Sequence, residues 1–562
     1  MEAIEVNRSA REYEVTRVPK GRFDFSFWRE DLTAGITLTP LIIAFAIGIA
    51  GMSLFPQQSG LVSAVVAIVA AAFLGGSYVV LCGSAAALAP ILANLVLTLG
   101  QGDMMLGYER TLAVIVVTGP IMIYMVRKKL VQKLTTFCPH AVMLGVMAAI
   151  AFMLIAGRIE TFAGVALEAK GHGLLKLKEF FWDGKYLGVV WPVFFTTAAT
   201  FGALIIVSAL RSRVRVLRSF PSQLWAILLL LLLGLMAPLS PQYRISIPEE
   251  FWSFHRWPDF DVVAMWNDGV FFAFVKGVVT LSFVDPLETV AAVLMFDKMD
   301  KYWRKSDLNR TVISMAVANS VGGMGGGTSS IPGVAQSRIS VEVGTVTPLA
   351  TLYAAGFVVL IVWLARDVLN LFSIAGLSAV IVFTVYPLCA PAMWRKVLKT
   401  GVDQLAVVAI TFVVSILVWD ILAGIFAGVI LKLVIVLGVA YRVIKYRTGS
   451  QSFLDLMKLL WKRFRHPKVK VVVATDGSCD VYFSGLWGFW SPVEKVLESI
   501  PTNVQTVNFH LTRRLLVIDQ PTIEKLLHFL YGKSGKLVEA KSLQSFWDCR
   551  DQAATRFAPY RK

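Results

Sequence analysis

NSVGGMGGGTSSIPGVAQSRISVEVGTVTP, Asn319–Pro348, is the stretch that decides how the rest of this chain is read. Long apolar segments flank it, yet it is rich in glycine and hydroxyl side chains. Backbone at bilayer depth must satisfy its own polar groups. The run Gly322-Gly323-Met324-Gly325-Gly326-Gly327 therefore cannot face lipid and must be wrapped in protein or border a wet cavity. Beyond it, Pro332 suits the first turn of a helix capped by Ser329 or Ser330. Gly344 and Pro348 limit that helix to about three turns. A short helix starting in mid-membrane turns unpaired N–H groups and a partial positive charge inward, and an anion is its natural guest. The glycine run is not a phosphate-gripping P-loop, because no Gly-Lys-Ser/Thr follows it.

Outward from this stretch the chain is that of a polytopic membrane protein. It has 562 residues, 56% of them hydrophobic, and a mean hydropathy of +0.67. Soluble chains are nearer ~45–50% apolar. Many windows reach the roughly 20 apolar residues that cross a bilayer core. A formal charge of +17 would suggest nucleic acid in a soluble protein. Here Lys and Arg gather in short loops and tails, so topology explains them and no nucleic-acid partner is expected. The polar residues before Asp31 contain no apolar signal-peptide core. The five cysteines, Cys82, Cys138, Cys389, Cys479 and Cys549, form no CxxC and read as structural.

In the first half, spans are expected near 32–52, 60–77, 111–126, 139–156, 187–210 and 221–238, with a short element after Gly83 as the third. In the second half they fall near 269–296, 308–321, 349–365, 371–387, 406–419 and 421–440, with the helix after Pro332 as the third. That makes about fourteen membrane elements on a ~20-residue window. Loop charge tests the count. Arg127–Lys133, Arg211–Arg218, Lys298–Arg310, Trp394–Lys399 and the segment from Arg442 are basic, whereas Leu239–Asp268 carries five acids. Both termini are then cytoplasmic, in an inner or plasma membrane.

The halves repeat. In each, the third element is a short helix behind small residues: Gly75-Gly76-Ser77 with Cys82-Gly83-Ser84, and the Gly322–Ser330 run. With seven elements per half the copies are inverted, and paired interrupted segments point to a midplane transporter site. Phe25–Trp28 resembles an interfacial anchor. From about Val469 the texture changes to strands (469–473, 480–483, 504–509, 536–538) and helices (492–499, 522–531), a small soluble α/β domain. The expected domains are a cytoplasmic lead 1–30, a transmembrane domain 31–445, a basic linker 446–467, an α/β domain 468–545 and a tail 546–562.

Asp285 and Glu288 stand three apart on one helix face inside a span. An intramembrane carboxylate is a functional hypothesis by default; the bland alternative is a structural pair, for example with Arg338 or a backbone donor. Facing a wet cavity, either can take up a proton or hold a sodium ion, and so couple a second species to the anion. No cofactor beyond such a coupling H+ or Na+ is expected. The six histidines do not cluster, His140 reads as structural, and no metal spacing or catalytic set appears. Arg158 and Arg366 mark span ends.

These residues resemble the SulP (sulfate permease) family of anion transporters, which includes the solute carrier family 26 proteins. Asp31-Leu32-Thr33-Ala34-Gly35-Ile36 is similar to the family's approach to its first span, and Ala44-Phe45-Ala46 with Ala50-Gly51 to its "A-Y/F-A…A-G" pattern. Leu287-Glu288-Thr289, with Asp297-Lys298-Met299 behind it, is similar to the eighth-span "L-E/D-S…D-x-M". Ala318-Asn319…Gly322-Gly323 and Gly344–Pro348 resemble the ninth and tenth elements. The tail resembles a STAS domain. The resemblance implies an all-α polytopic fold of seven plus seven inverted elements with UraA-like core and gate domains, followed by the α/β STAS-like domain. It also implies a homodimer in the lipid bilayer.

Carried over by position, the anion lies between the N-termini of the third and tenth elements. It is lined by Leu41, Phe45, Ser84, Ala85, Glu288, Val334, Ala335 and Gln336, with Glu288 and Asp285 as coupling-ion residues. Two positions depart from the family. Leu41 stands where Gln is usual, and Gln336 stands where Arg is frequent. Arg338 lies about 200° further round the helix. Binding would therefore lean on helix dipoles and backbone N–H groups. In the STAS-like tail, Asp519-Gln520-Pro521-Thr522 replaces the usual D-S-S-G loop, so no phosphorylation switch is expected there. The function implied is secondary active transport of a small anion (bicarbonate, sulfate, chloride or a small carboxylate) by alternating access, with proton or sodium coupling. A nucleobase permease of related fold and an anion channel or sensor are the alternatives; an enzyme is not expected.

Overall fold

The computed structural model describes residues 19, 21–131, 139–165, 173–211, 213–214, 217, 220–236, 239–248, 256–297, 299–302, 304 and 306–448, and three tail strands. The helices of the first half are α1 (Trp28–Met52), α2 (Gln57–Leu74), α3 (Ala89–Gly100), α4 (Met104–Arg127), α5 (His140–Ala156), α6 (Trp191–Leu210) and α7 (Ser222–Met236). Those of the second half are α8 (Phe271–Asp297), α9 (Leu308–Met324), α10 (Val334–Glu342), α11 (Pro348–Leu364), α12 (Ile374–Val385), α13 (Val402–Val418) and α14 (Ile421–Thr448). Among the described residues, eight helices are long and apolar enough to cross a membrane. Shorter apolar helices fill most of the other expected positions. Each expected span thus has its helix, and the ends shift by a few residues where caps decide them. Asp307 caps α9 by accepting from the Arg310 N–H. Thr347 caps α11 by accepting from the Leu349 N–H, with Pro348 as the first helical residue.

Two short strands, β1 (Cys82–Ser84) and β2 (Ser330–Pro332), pair antiparallel, with Cys82 opposite Pro332 and Ser84 opposite Ser330. They correct one expectation. Ser329 and Ser330 do not cap α10, and Pro332 lies outside it; the N-cap is Gly333. The residues before the helix are drawn into the ladder with β1, so a single residue, Gly333, separates strand from helix. At the other end Gly344 takes φ +83, the left-handed turn expected of a helix-terminating glycine.

The described residues fall into two compact units. The first comprises Met1–Tyr124, Glu160–Ala166 and Gly184–Phe383. In it α1 packs against α2 and α11, α2 against α9, and α6 against α7. The packing around the interrupted helices is reciprocal: α1 touches both α3 and α10, and so does α8. That exchange is what an inverted repeat requires. Close approach depends on glycine. A Cβ on Gly60 of α2 would lie 1.9 Å from the Ala46 carbonyl oxygen of α1. Gly60→Ala is therefore expected to lower stability by about 3 kcal/mol, the upper end of overpacking costs. It should also disturb the approach to α3, because the Gly60 carbonyl accepts from Ser63 and Ser84. An unchanged melting midpoint in detergent would contradict this contact.

Buried Asp31 joins the start of α1 to that of α11. Its Oδ1 accepts from the Val346 and Thr347 N–H groups, both at 3.0 Å, and its Oδ2 accepts from the Thr347 hydroxyl at 2.6 Å. The acid that opens the first-span motif is thus a second cap for α11.

The second unit comprises Met125–Ile159, Leu167–Asp183 and Thr384–Lys562. There α5, α13 and α14 pack mutually, with Thr411 of α13 close to Gly145 of α5 and Gly428 of α14. Lys432, fully buried in α14, stands 3.6 Å from the Asp403 carboxylate. In the tail, β3 (Lys468–Val473) pairs antiparallel with β4 (Ser478–Trp487), which pairs parallel with β5 (Thr506–Ile518). These strands cover the expected 469–473 and 480–483 and overlap the expected 504–509 from residue 506 onward. The expected tail helices, the strand at 536–538 and the Asp519–Thr522 loop lie outside the described residues.

Candidate functional site

Strand β1 leads through Ala85 and a 3-10 turn, Ala86–Leu88, into α3, and β2 leads through Gly333 into α10. Because the strands are antiparallel, the two helices depart in opposite directions from the ends of a three-pair ladder. The ladder is extended at both ends. The Ala85 N–H donates to the Ser329 carbonyl at 2.9 Å, and the Gly333 N–H donates to the Leu81 carbonyl at 3.1 Å. The N–H groups of Val334, Ala335 and Gln336 are the first three of α10 and have no acceptor within it; the next, Ser337, donates to Gly333.

The sequence-predicted site residues all belong to the first unit. Leu41 and Phe45 of α1, Ser84 and Ala85 at the α3 start, Glu288 of α8 and Gln336 of α10 are all buried, and Val334 is half-buried. Ala335 occupies the second helical position of α10. The Gln336 side chain folds back over its own helix start: Cβ atoms added at Gly333 and Gly83 would lie 2.7 Å and 3.1 Å from its Oε1. This is the third helical position, from which Gln characteristically reaches back toward a cap. Arg338, by contrast, is exposed and pairs with Glu342, which also meets Arg211 of the stretch after α6. Among the described residues it does not pair with the α8 carboxylates.

The two α8 carboxylates differ. Asp285, fully buried, accepts from the Asn319 amide at 2.6 Å through Oδ2 and from the Thr289 hydroxyl at 3.3 Å through Oδ1. Glu288 is equally enclosed, yet its Oε1 has no hydrogen-bond partner. A buried, unsatisfied carboxylate oxygen is costly unless a proton, ion or ligand meets it.

Several polar groups around the site carried no assigned role in the sequence reading. Ser63 of α2 bonds both Ser84 and Thr328, at 2.7 Å and 2.8 Å. The Tyr108 hydroxyl donates to the Gly326 carbonyl at 2.7 Å, where Gly326 has φ +78. Asn319 accepts the Ser330 N–H at 2.6 Å. A polar amide inside an apolar span was the available signal for Asn319; the hydroxyls gave none, since Ser and Thr are common in such helices.

The model of the sulfate permease family matches residues 28–411. The chain belongs to this family. The chain is accordingly an anion transporter rather than an enzyme. Among curated relatives, a putative sulfate transporter of Bacillus subtilis, YvdB, is 22% identical over 422 residues, covering 74% of this chain and 75% of the relative. A probable sulfate transporter of Mycobacterium tuberculosis, Rv1739c, is 22% identical, covering 72% and 69%. Two solved structures share the fold. The transmembrane domain of a cyanobacterium bicarbonate transporter, BicA, has a TM-score of 0.60 at 16% identity, with 72% of this chain and 98% of that one covered. Murine Slc26a9, an anion transporter in the inward-facing state, has a TM-score of 0.61 at 12% identity, with 92% and 86% covered. The UraA-like membrane fold expected from the sequence is therefore the fold of this chain.

Proposed function

We propose that this chain is a secondary active transporter that carries a small, singly charged anion by alternating access, held by the free N–H groups at the start of α10 and of the 3-10 turn, Ala86–Leu88, that leads into α3. The observation that supports this reading is a partnerless Oε1 on Glu288 of α8, the helix that touches both α3 and α10. The helix starts supply partial positive charge without a fixed cation. A second negative charge on the guest would face the Glu288 carboxylate with no guanidinium to offset it. Bicarbonate, chloride or a small carboxylate therefore suits the site better than sulfate. Glu288 takes the coupling H+ or Na+. Asp285, the other expected coupling residue, suits that role less, because both its oxygens already accept hydrogen bonds.

The wider assignment keeps both termini cytoplasmic, a homodimer in an inner or plasma membrane, and a STAS-like domain at 468–545 that regulates rather than binds. The deciding experiment is uptake of labelled bicarbonate, chloride, sulfate and acetate into proteoliposomes, with and without pH and sodium gradients. Gradient-driven accumulation of a monoanion above sulfate is expected; no accumulation of any of them would refute the assignment.

Gln336 sets the charge preference on this reading. Gln336→Arg is expected to raise sulfate uptake relative to chloride about fivefold, as ~1 kcal/mol of added attraction would. An identical selectivity series would remove Gln336 from the pocket.

A further inference from the structure

We propose that Asp285 is a positioning residue for the anion site, acting through Asn319 to fix one peptide plane that both interrupted helices depend on. The inference rests on the transport reading above. The peptide group between Ser329 and Ser330 is held on both sides. Its N–H donates to Asn319 Oδ1 at 2.6 Å, and its carbonyl accepts from the Ala85 N–H at 2.9 Å. Ser330 is three residues before Gly333, the cap of α10, and Ala85 caps the turn that opens α3. The orientation of this one peptide thus sets where both sets of free N–H groups point.

Asn319 holds the peptide only in one of its two amide orientations. Its oxygen must face the Ser330 N–H, which sends its Nδ2 the other way, and there stands Asp285 Oδ2 at 2.6 Å. An acceptor at one end and a donor at the other admit one orientation alone. Thr289, one turn along α8, donates to the second Asp285 oxygen and fixes the carboxylate in turn. Asp285, Asn319, Ser329 and Ser330 are all buried, so water offers no ready substitute.

The relay separates orientation from charge. In Asp285→Asn the new amide oxygen still accepts from Asn319, and its NH2 meets the Thr289 hydroxyl, which accepts. Uptake KM is expected to stay within about twofold of wild type in that variant. Asp285→Ala and Asn319→Ala, each losing a buried hydrogen bond, are expected to raise KM about tenfold. The double alanine variant should be no worse than either single one. The exchange Asp285→Asn with Asn319→Asp restores donor and acceptor and should recover KM relative to Asn319→Asp alone, which sets two carboxylates face to face.

Hydrogen–deuterium exchange over residues 328–334 supplies a readout independent of uptake. It should quicken in both alanine variants and remain at the wild-type rate in Asp285→Asn. If Asp285→Asn is as damaging as Asp285→Ala in both readouts, the carboxylate acts by its charge and the inference fails. It fails also if Asn319→Ala leaves KM and exchange unchanged. Wild-type protein that takes up no anion would defeat the transport reading, while the exchange pattern would still judge the clamp.

Discussion

Replacement of Glu288 by Gln is expected to abolish ion-coupled accumulation while leaving the protein folded. The two side chains have nearly the same volume, so packing around α8 is retained. Glu288 is 3% exposed, and removing an ionisable group from such a place relieves a desolvation cost rather than adding one. The melting midpoint should therefore be unchanged or raised. What the amide cannot do is gain and lose a proton or hold a sodium ion by charge. Gradient-driven uptake in proteoliposomes should fall by about tenfold or more, a loss of ~1.4 kcal/mol of coupling. Exchange of internal for external anion, which needs no coupling ion, should persist. A variant that still concentrates its anion in response to the same gradient would show that coupling resides elsewhere.

Asp31→Ala should do the opposite, damaging the fold first. The substitution strips three acceptor contacts from the start of α11 and leaves the Val346 and Thr347 N–H groups buried without partners. Charge-assisted bonds of this kind contribute about 1.5–3 kcal/mol each, so a total loss of at least ~3 kcal/mol is expected. Asp31→Asn keeps one acceptor oxygen and should fall between the two. The check is the thermal midpoint of purified protein, ranked wild type, then Asn, then Ala; an Ala variant as stable as wild type would mean that the α11 start finds another cap.

Much of this architecture is legible in the sequence because a bilayer imposes simple rules. Apolar length gives the spans, and glycine at depth marks the broken helices. Glu288 stands out because an ionisable residue in an apolar run has few bland explanations. What sequence conceals is pairing across distance. Ser330 and Pro332 look like a helix cap and a first-turn proline, and only their partners near Cys82 make them a strand. Asn319 sits within a motif, but its function depends on Asp285, 34 residues away. Asp31 likewise appears as part of a span-opening motif, and its role as a cap for α11 exists only once the chain has folded.

Crystals grown in bromide, with anomalous differences measured at the bromine edge, would test the central claim most directly. The account predicts a bromide within hydrogen-bonding reach of the N–H groups that open α10 and beside the 3-10 turn, Ala86–Leu88, that leads into α3, near Glu288. Bromide that is transported yet bound away from both helix starts would contradict it.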